Sequence, residues 1–159
     1  MHNISFKYLR FILYISLLGF INSCATSSFT FFPTEINSKI LASFDINPNA
    51  NNRPSPLVVR IYELKSLDAF NEANFFKLYD EEAATLGGDL LSRDEFELSP
   101  GQGTEINRKV NQQTRYFAVI AAFRNIEQSN WRASKILKLN SDNTLVVKIN
   151  KQSVSIENL

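Results

Sequence analysis

Short apolar runs separated by turn-forming residues recur along most of this chain, and this pattern constrains its fold more than any other feature. Between Ile36 and Ile46 apolar and polar residues alternate, as in a strand that buries one face. The run Leu57–Leu64 is rich in branched and aromatic residues, and Tyr116–Phe123, which is apolar on both faces, is expected at the centre of a sheet. Further candidate strands are Leu90–Leu98, Ile106–Val110, Trp131–Leu139, Leu145–Asn150 and Ser153–Ile156. About eight strands joined by polar turns predict a mainly β domain with the architecture of a β-sandwich.

A different period interrupts the strands after Ser66. The apolar residues between Leu67 and Leu86 recur at spacings of three and four, which is the period of a helix. Gly87-Gly88 follows, and glycine is the favoured residue just past a helix end. We predict two short helices packed on a sheet, and we interpret their aromatic residues as core rather than as a cofactor site.

The only cysteine of the chain, Cys24, follows a segment with the features of an export signal. Lys7 and Arg10 give it a basic start. The apolar run Phe11–Ile21 comes next, and it is too short for a bilayer span, which needs roughly 20 residues. Ile21-Asn22-Ser23-Cys24 resembles a bacterial lipobox, whose cysteine thiol is acylated and then becomes the new N-terminus. We therefore expect Cys24 to be the lipidation site.

This interpretation divides the chain into three parts. Residues 1–23 are predicted to be a lipoprotein signal peptide, residues 24–34 a lipidated N-terminus and tether, and residues 35–159 the β-sandwich domain. Ala25, rather than an aspartate, follows the cysteine, which favours a lipid anchor on the periplasmic side of the outer membrane.

The tether is short and rich in phenylalanine. Its residues from Ala25 to Thr34 reach at most about 35 Å when fully extended, so the domain is expected to stay close to the membrane. We expect Phe29, Phe31 and Phe32 to pack on the core, with contact at the membrane interface as the alternative.

The mature chain lacks the side chains on which most catalytic sites depend. The only histidine of the full sequence, His2, lies in the predicted signal peptide. The mature chain is therefore expected to have no Ser-His-Asp triad, Cys-His pair or histidine-ligated zinc site. Gly87-Gly88 and Gly101-Gln102-Gly103 lack the spacing of a phosphate-binding loop. The 17 basic residues barely exceed the 16 acidic ones, so no basic surface for nucleic acid is indicated. We expect no cofactor, no metal and no nucleic-acid partner.

Two carboxylate clusters are the remaining catalytic candidates. Asp80-Glu81-Glu82 and Asp94-Glu95, the latter with Glu97, can in principle supply an acid and a base, as in glycoside hydrolysis. Their predicted places on a helix exterior and an edge strand favour solvated surfaces instead, and the regular acid spacing of a calcium loop is missing. We therefore expect the protein not to be an enzyme, and a carboxylate hydrolase is the least favoured function.

Several separate motifs together resemble one bacterial protein family. The run Arg53–Lys65, preceded by Asn47-Pro48, is similar to the signature of TssJ, the outer-membrane lipoprotein of the type VI secretion system. Further matches, in the family order, are Asn74–Tyr79, Leu86–Leu91, Leu98–Gly101, Ala121–Arg124 and Trp131-Arg132. The resemblance covers nearly the whole mature chain.

The resemblance implies a transthyretin-like sandwich of two sheets with a short helical excursion after the second strand. It also implies a structural, non-enzymatic role in which the lipoprotein binds the periplasmic C-terminal domain of the inner-membrane protein TssM, and through it TssL, in an envelope-spanning complex. In that family the loop between the first two strands contributes to the TssM contact. Here the corresponding partner-binding loop consists of Asn47, Pro48, Asn49, Ala50, Asn51, Asn52, Arg53, Pro54, Ser55 and Pro56.

Apart from the resemblance, this loop is unusual in length and composition. It is longer than most hairpin loops, which have about two to five residues, and its three prolines lower the entropic cost of ordering it on a partner. Its amide side chains can donate and accept hydrogen bonds to a partner. A passive surface loop is the alternative. The runner-up function is a lipoprotein that binds a ligand or glycan in a groove lined by Trp131 and Tyr116.

Overall fold

A computed structural model describes residues 32–159, which form eight strands, three short helices and two 3-10 turns. The predicted signal peptide, Cys24, Phe29 and Phe31 lie outside the described residues. The strands are β1 (Glu35–Ala42), β2 (Leu57–Leu64), β3 (Leu90–Leu98), β4 (Gly103–Lys109), β5 (Tyr116–Ala121), β6 (Arg132–Ile136), β7 (Asp142–Ile149) and β8 (Val154–Asn158). The helices are α1 (Asp68–Glu72), α2 (Phe75–Asp80) and α3 (Glu82–Leu86), and 3-10 turns occupy Gly87–Asp89 and Ile126–Gln128.

The strands form two four-stranded sheets. Sheet A has the order β4-β1-β7-β8, and sheet B has the order β3-β2-β5-β6. Neighbouring strands run antiparallel, except that β1 and β7 run parallel over the whole length of β1. The expected mainly β sandwich of about eight strands is confirmed.

The space between the sheets holds the main core. Ile36 and Ile40 of β1 are fully buried, as the alternation predicts, and they belong to one cluster with Val59, Ile61 and Phe117 of sheet B. Each of these side chains removes apolar surface from water, which is the dominant favourable contribution to folding.

The alternation in the first strand was predicted to run to Ile46, but β1 ends at Ala42. The backbone turns at Phe44 and Asp45, where the Ser43 hydroxyl donates to the Asp45 carboxylate. As a result, Phe44 is 83% exposed although its position in the pattern predicted burial. Phe32 is 70% exposed, so the expectation that it packs on the core is also wrong.

The three helices cover the outer face of sheet B and create a second core. Tyr62 of β2 and Ile120 of β5 point away from the main core and pack among Phe70, Leu78 and Leu86 of the helices. This cover explains why β5 is apolar on both faces, and it confirms the predicted helical excursion after the second strand.

The excursion contains three helices where two were predicted, because the chain breaks twice. Ala73 is extended, and the Asn74 side chain then accepts a hydrogen bond from the Lys77 amide, at 3.0 Å, which caps the start of α2. A second break at Glu81 separates α2 from α3. Gly87, with φ of 49°, ends α3 in the left-handed region that glycine tolerates. None of the helices among residues 32–159 is long and apolar enough to cross a membrane.

Candidate partner-binding site

The segment Asn47–Pro56, hereafter the crossover loop, leads from β1 in sheet A to β2 in sheet B. It is therefore not a hairpin loop but a connection between the two sheets. The loop is closed at its neck, where the Ser55 amide donates to the carbonyl oxygen of the buried Ile46 at 3.1 Å.

Asn47 holds the neck of the crossover loop with both its backbone and its side chain. Its amide donates to the carbonyl oxygen of Lys151 at 3.0 Å, and its side-chain nitrogen donates to that of Pro56 at 2.8 Å. Its side-chain oxygen accepts from the Arg124 amide at 2.8 Å. The backbone has φ of 47°, a left-handed conformation that asparagine adopts more readily than other residues with a Cβ. One buried residue, through its backbone and its side chain, thus joins three loops at this end of the sandwich.

The tip of the crossover loop is closed by its own hydrogen bonds. The side-chain oxygen of Asn49 accepts from the amides of Asn51, at 2.9 Å, and Arg53, at 3.1 Å. The Asn49 amide donates to the Arg53 carbonyl, and the Asn52 amide donates to the Asn49 carbonyl, both at 2.9 Å. The loop is therefore preformed, with Ala50 and its three successors exposed at the tip.

This arrangement changes the role of the amide side chains. Sequence reasoning assigned them to a partner, but those of Asn47 and Asn49 are used inside the loop. The side chains of Asn51, Asn52 and Arg53 are the exposed polar groups that face outward at the tip.

An exposed apolar patch lies at the same end of the sandwich. The ring of Phe44 rests on Gly101, where an added Cβ would overlap the Phe44 ring. Leu41, which is 46% exposed, lies beside Gly103 in the same way. Phe44 and Arg53 are both exposed at this end, and aromatic and arginine side chains are enriched in protein–protein interfaces.

The motifs around β2 and β6 hold the helices in place. Arg60 donates to the carbonyl oxygen of Tyr79 at 2.6 Å, and its guanidinium lies 4.0 Å from the centre of the Tyr79 ring. Arg132 donates to the carbonyl oxygens of Phe70 and Ala73, both at 2.9 Å, at the end of α1. These bonds satisfy carbonyls that a helix end leaves without a partner.

Two of the candidate catalytic carboxylates, Glu82 and Glu95, come together in an ion-pair network. Arg93 bridges them, with its nitrogens 3.4 Å from Glu82 and 3.1 Å from Glu95, and Arg60 contacts both. The Tyr62 hydroxyl donates to Glu82 at 2.9 Å. The expectation that Glu82 lies on a solvated face is therefore wrong, because its side chain is only 14% exposed.

The electrostatic surroundings of Glu95 do not suit general acid catalysis. The hydrogen bond and charge of Arg60 hold the pKa of Glu95 below its ordinary value, although partial burial acts the other way. The acid of a glycosidase pair needs a raised pKa instead. The other candidate acids Asp80, Glu81 and Glu97 are exposed and take no part in the ion-pair network. Burial raises the pKa of Tyr62, so this hydroxyl stays protonated and acts as a donor.

Sequence reasoning missed Glu63, a carboxylate buried to 3% exposure near the end of β2. It accepts from Arg108 of sheet A at 2.9 Å, from the Thr114 hydroxyl at 3.1 Å and from the Asn111 amide at 3.3 Å. A charged residue inside the apolar run of β2 was the available signal. Glu63 ties the two sheets together at the end opposite the crossover loop.

The residues proposed to line a ligand groove are not brought together. Tyr116 begins β5, whereas the Trp131 carbonyl accepts from the amide of Ala121 at the other end of that strand. The Trp131 ring packs edge-on against Phe75 at 5.4 Å and is covered by Arg132. Nor does any group of three His, Cys, Asp or Glu side chains within residues 32–159 have the geometry to hold a metal ion.

Comparison with known families identifies one match. Residues 34–152 match the model of the type VI secretion lipoprotein family, described as VasD, EvfM, TssJ and VC_A0113. No curated protein sequence gives a significant match.

Solved structures agree with the family match. The chain is similar to the type VI secretion lipoprotein TssJ1 from Pseudomonas aeruginosa, with 35% identity and a TM-score of 0.78 over 80% of this chain and 97% of that one. It is also similar to Serratia marcescens Lip, a membrane bound component of the type VI secretion system, with 25% identity and a TM-score of 0.72 over 80% and 98% of the two chains. A chain in the structure of the TssM C-terminal domain from EAEC shares the fold, at 21% identity and a TM-score of 0.65 over 79% and 98%.

Proposed function

Because the chain belongs to the type VI secretion lipoprotein family that includes TssJ, we propose that it is a structural lipoprotein of the type VI secretion membrane complex. In this proposal the acylated Cys24 anchors it in the outer membrane, facing the periplasm. The crossover loop binds the periplasmic C-terminal domain of TssM, and through TssM the protein joins TssL. The family match over residues 34–152 is the observation that carries the proposal.

The geometry of the crossover loop supports a role in binding. Its backbone is already ordered by Asn47 and Asn49, so little conformational entropy remains to be lost when a partner binds. Its tip exposes Arg53 and two amides, and Phe44 lies exposed at the same end. A preformed loop with an adjacent aromatic anchor is the arrangement expected of a binding surface.

The test replaces only the outward-facing groups of the tip. In residues 25–159, Asn51→Gly, Asn52→Gly and Arg53→Ser together leave Asn49 in place, and glycine suits the left-handed backbone of Asn52, whose φ is 57°. We expect affinity for the TssM domain from the same genome to fall at least about tenfold, which is roughly 1.4 kcal/mol. Isothermal titration calorimetry measures the change.

A matched control separates this loop from exposed side chains in general. Phe76→Ser removes an aromatic side chain that is 61% exposed on α2, on the helical face of the molecule. We expect this variant to bind like the wild type. Equal affinity of the tip variant and the wild type would place the TssM contact elsewhere on the sandwich.

The anchor is tested separately from the loop. We expect Cys24→Ser to abolish palmitate labelling and outer-membrane fractionation in cells, while the sandwich still folds because ten residues separate Cys24 from the start of β1. Wild-type protein that carries no label and fractionates with the soluble periplasm would exclude the lipoprotein assignment.

A further inference from the structure

The end of the sandwich opposite the crossover loop, hereafter the N-terminal end, carries apolar and basic side chains with no role assigned so far. The chain enters the described part at residue 32 here, because β1 begins at this end and the crossover loop follows its other end. Seven large apolar side chains are exposed among residues 32–159, and four of them belong to this end. They are Phe32, Ile136, Leu139 and Leu159.

Hydrogen bonds place the segments that carry these side chains next to one another. The Asn140 amide donates to the Thr34 hydroxyl at 2.8 Å, so Leu139 and Phe32 each lie within two residues of this bond. The amide of Leu159 donates to the carbonyl oxygen of Thr144 at 3.0 Å, near the start of β7.

Ile136 and Leu159 line a common open groove of about 530 Å³ between β6 of sheet B and the β7–β8 pair of sheet A. Lys135 and Lys138 line the same groove, against one acidic residue, Asp142. Neither lysine forms an ion pair with a carboxylate of residues 32–159. The groove therefore combines apolar walls with two lysines that form no ion pair within residues 32–159 and that outnumber its one acidic side chain.

The floor of this surface is rigid. Asn143 is buried to 7% exposure, and its side chain accepts from the Lys138 amide at 2.7 Å. The same side chain donates to the carbonyl oxygens of Lys138, at 2.9 Å, and Glu35, at 3.2 Å. The connection from β6 to β7 is thus fixed to β1, and the exposed side chains project from a preformed surface.

We propose that the N-terminal end is a membrane-contacting surface that docks on a phospholipid bilayer. This inference rests on the proposed acylation of Cys24, from which seven residues separate Phe32, a span of at most roughly 30 Å. Apolar side chains enter the interfacial region of a bilayer while lysines beside them meet lipid phosphates. The anchor confines the domain near the bilayer, and this surface then fixes which end faces it. Docking at the N-terminal end points the crossover loop away from the membrane.

The experiment reports the depth of single tryptophans in the acylated protein. The only native tryptophan is replaced by Trp131→Phe, and tryptophan is introduced by Phe32→Trp, Ile136→Trp or, at the opposite end, Phe44→Trp. The acylated proteins are reconstituted in vesicles of phosphatidylethanolamine and phosphatidylglycerol, part of which carry brominated acyl chains. We expect bromine to quench tryptophan at positions 32 and 136 and to leave position 44 unquenched.

Other outcomes overturn the proposal. Equal quenching at all three positions means that the domain has no preferred orientation, and no quenching at 32 and 136 means that it hangs free of the bilayer. If the emission of the tryptophan at position 136 is shifted to the blue but is not quenched by bromine, the groove is occupied by residues 25–31 and not by lipid. Absence of acylation, read by mass spectrometry before reconstitution, is a failure of the proposed anchor and is thereby distinguished from a failure of docking.

A second experiment tests the contribution of the two groove lysines to docking on the bilayer. Lys135→Glu with Lys138→Glu is expected to lower quenching at position 136 about twofold or more, because each basic residue near an anionic surface contributes to attraction. Lys151→Glu, an exposed lysine at the crossover-loop end, is the matched control and is expected to change nothing. Unchanged quenching in the double variant would show that the lysines do not meet headgroups and would overturn that part of the proposal.

Discussion

The helical excursion and the crossover loop both leave the sandwich, but they are held in different ways. The excursion packs on sheet B through a buried apolar layer that includes Phe70 and Leu78. Arg60 and Arg132 also donate hydrogen bonds to its backbone carbonyls. The crossover loop is held at its neck by Asn47 and exposes its tip. The family-like motifs include the residues that hold the excursion and the neck of the crossover loop, whereas Asn51 and Asn52 at the exposed tip lie outside them.

The largest expected effect lies in the helical excursion. Phe70→Ala removes a side chain that is 1% exposed and packs against Tyr62 at 6.2 Å between ring centres. We expect a loss of about 3–5 kcal/mol of unfolding free energy, measured by urea denaturation. Phe76→Ala, on the exposed side of the same excursion, is expected to cost under about 1 kcal/mol. Similar midpoints for both variants would mean that the helices do not form a sealed layer.

A smaller effect is expected at the neck of the crossover loop. Asn47→Ala leaves the Arg124 amide and the Pro56 carbonyl without their partner and puts alanine in a left-handed conformation. We expect a loss of about 2–3 kcal/mol in the same urea measurement. Asn51→Ala, at the exposed tip, is the control and should stay within about 0.5 kcal/mol of the wild type. If Asn47→Ala were equally neutral, the loop would be held by contacts other than this asparagine.

The smallest effect concerns pH. The pKa of Glu95 is lowered in the folded state by Arg60, so its contribution to stability is present above the ordinary carboxylate pKa of 4.5. That contribution is lost as the pH falls through the lowered value. We expect Glu95→Gln to lower the melting temperature slightly at neutral pH. The difference between the melting temperatures at neutral and at strongly acidic pH should therefore be smaller in this variant than in the wild type. Glu97→Gln, at an exposed position of the same strand, should leave the difference unchanged.

Local patterns predicted most of the architecture. The two-faced apolar run of β5 indicated a covered sheet, and the spacing between Leu67 and Leu86 indicated the helices that cover it. Strand ends were predicted less well, because Ala42 rather than Ile46 ends β1 where a serine–aspartate turn redirects the chain. A turn of this kind depends on side-chain bonds that periodicity does not register.

The proposed binding site was predictable in position but not in construction. A proline-rich break between two strands located the loop, yet the sequence did not reveal that β1 and β2 lie in different sheets. Nor did it show that Asn47 bonds Arg124, which is 77 residues away along the chain. Likewise, Glu82 was predicted to lie on a solvated face because its arginine partners, Arg60 and Arg93, lie on β2 and β3. Long-range polar contacts of this kind are fixed by topology, which residue periodicity alone does not encode.

The position of β1 has a mechanical consequence. This strand runs through the interior of sheet A from the N-terminal end directly into the crossover loop. If the proposed lipid anchor pulls on one end and the proposed partner pulls on the loop, the tension passes along the covalent backbone of residues 35–47. The remaining strands lie outside this line of force, so the sandwich has no need to unfold or shear when the two attachments move apart. In such a domain the backbone of β1 carries the tension, and its hydrogen bonds to β4 and β7 keep this strand extended.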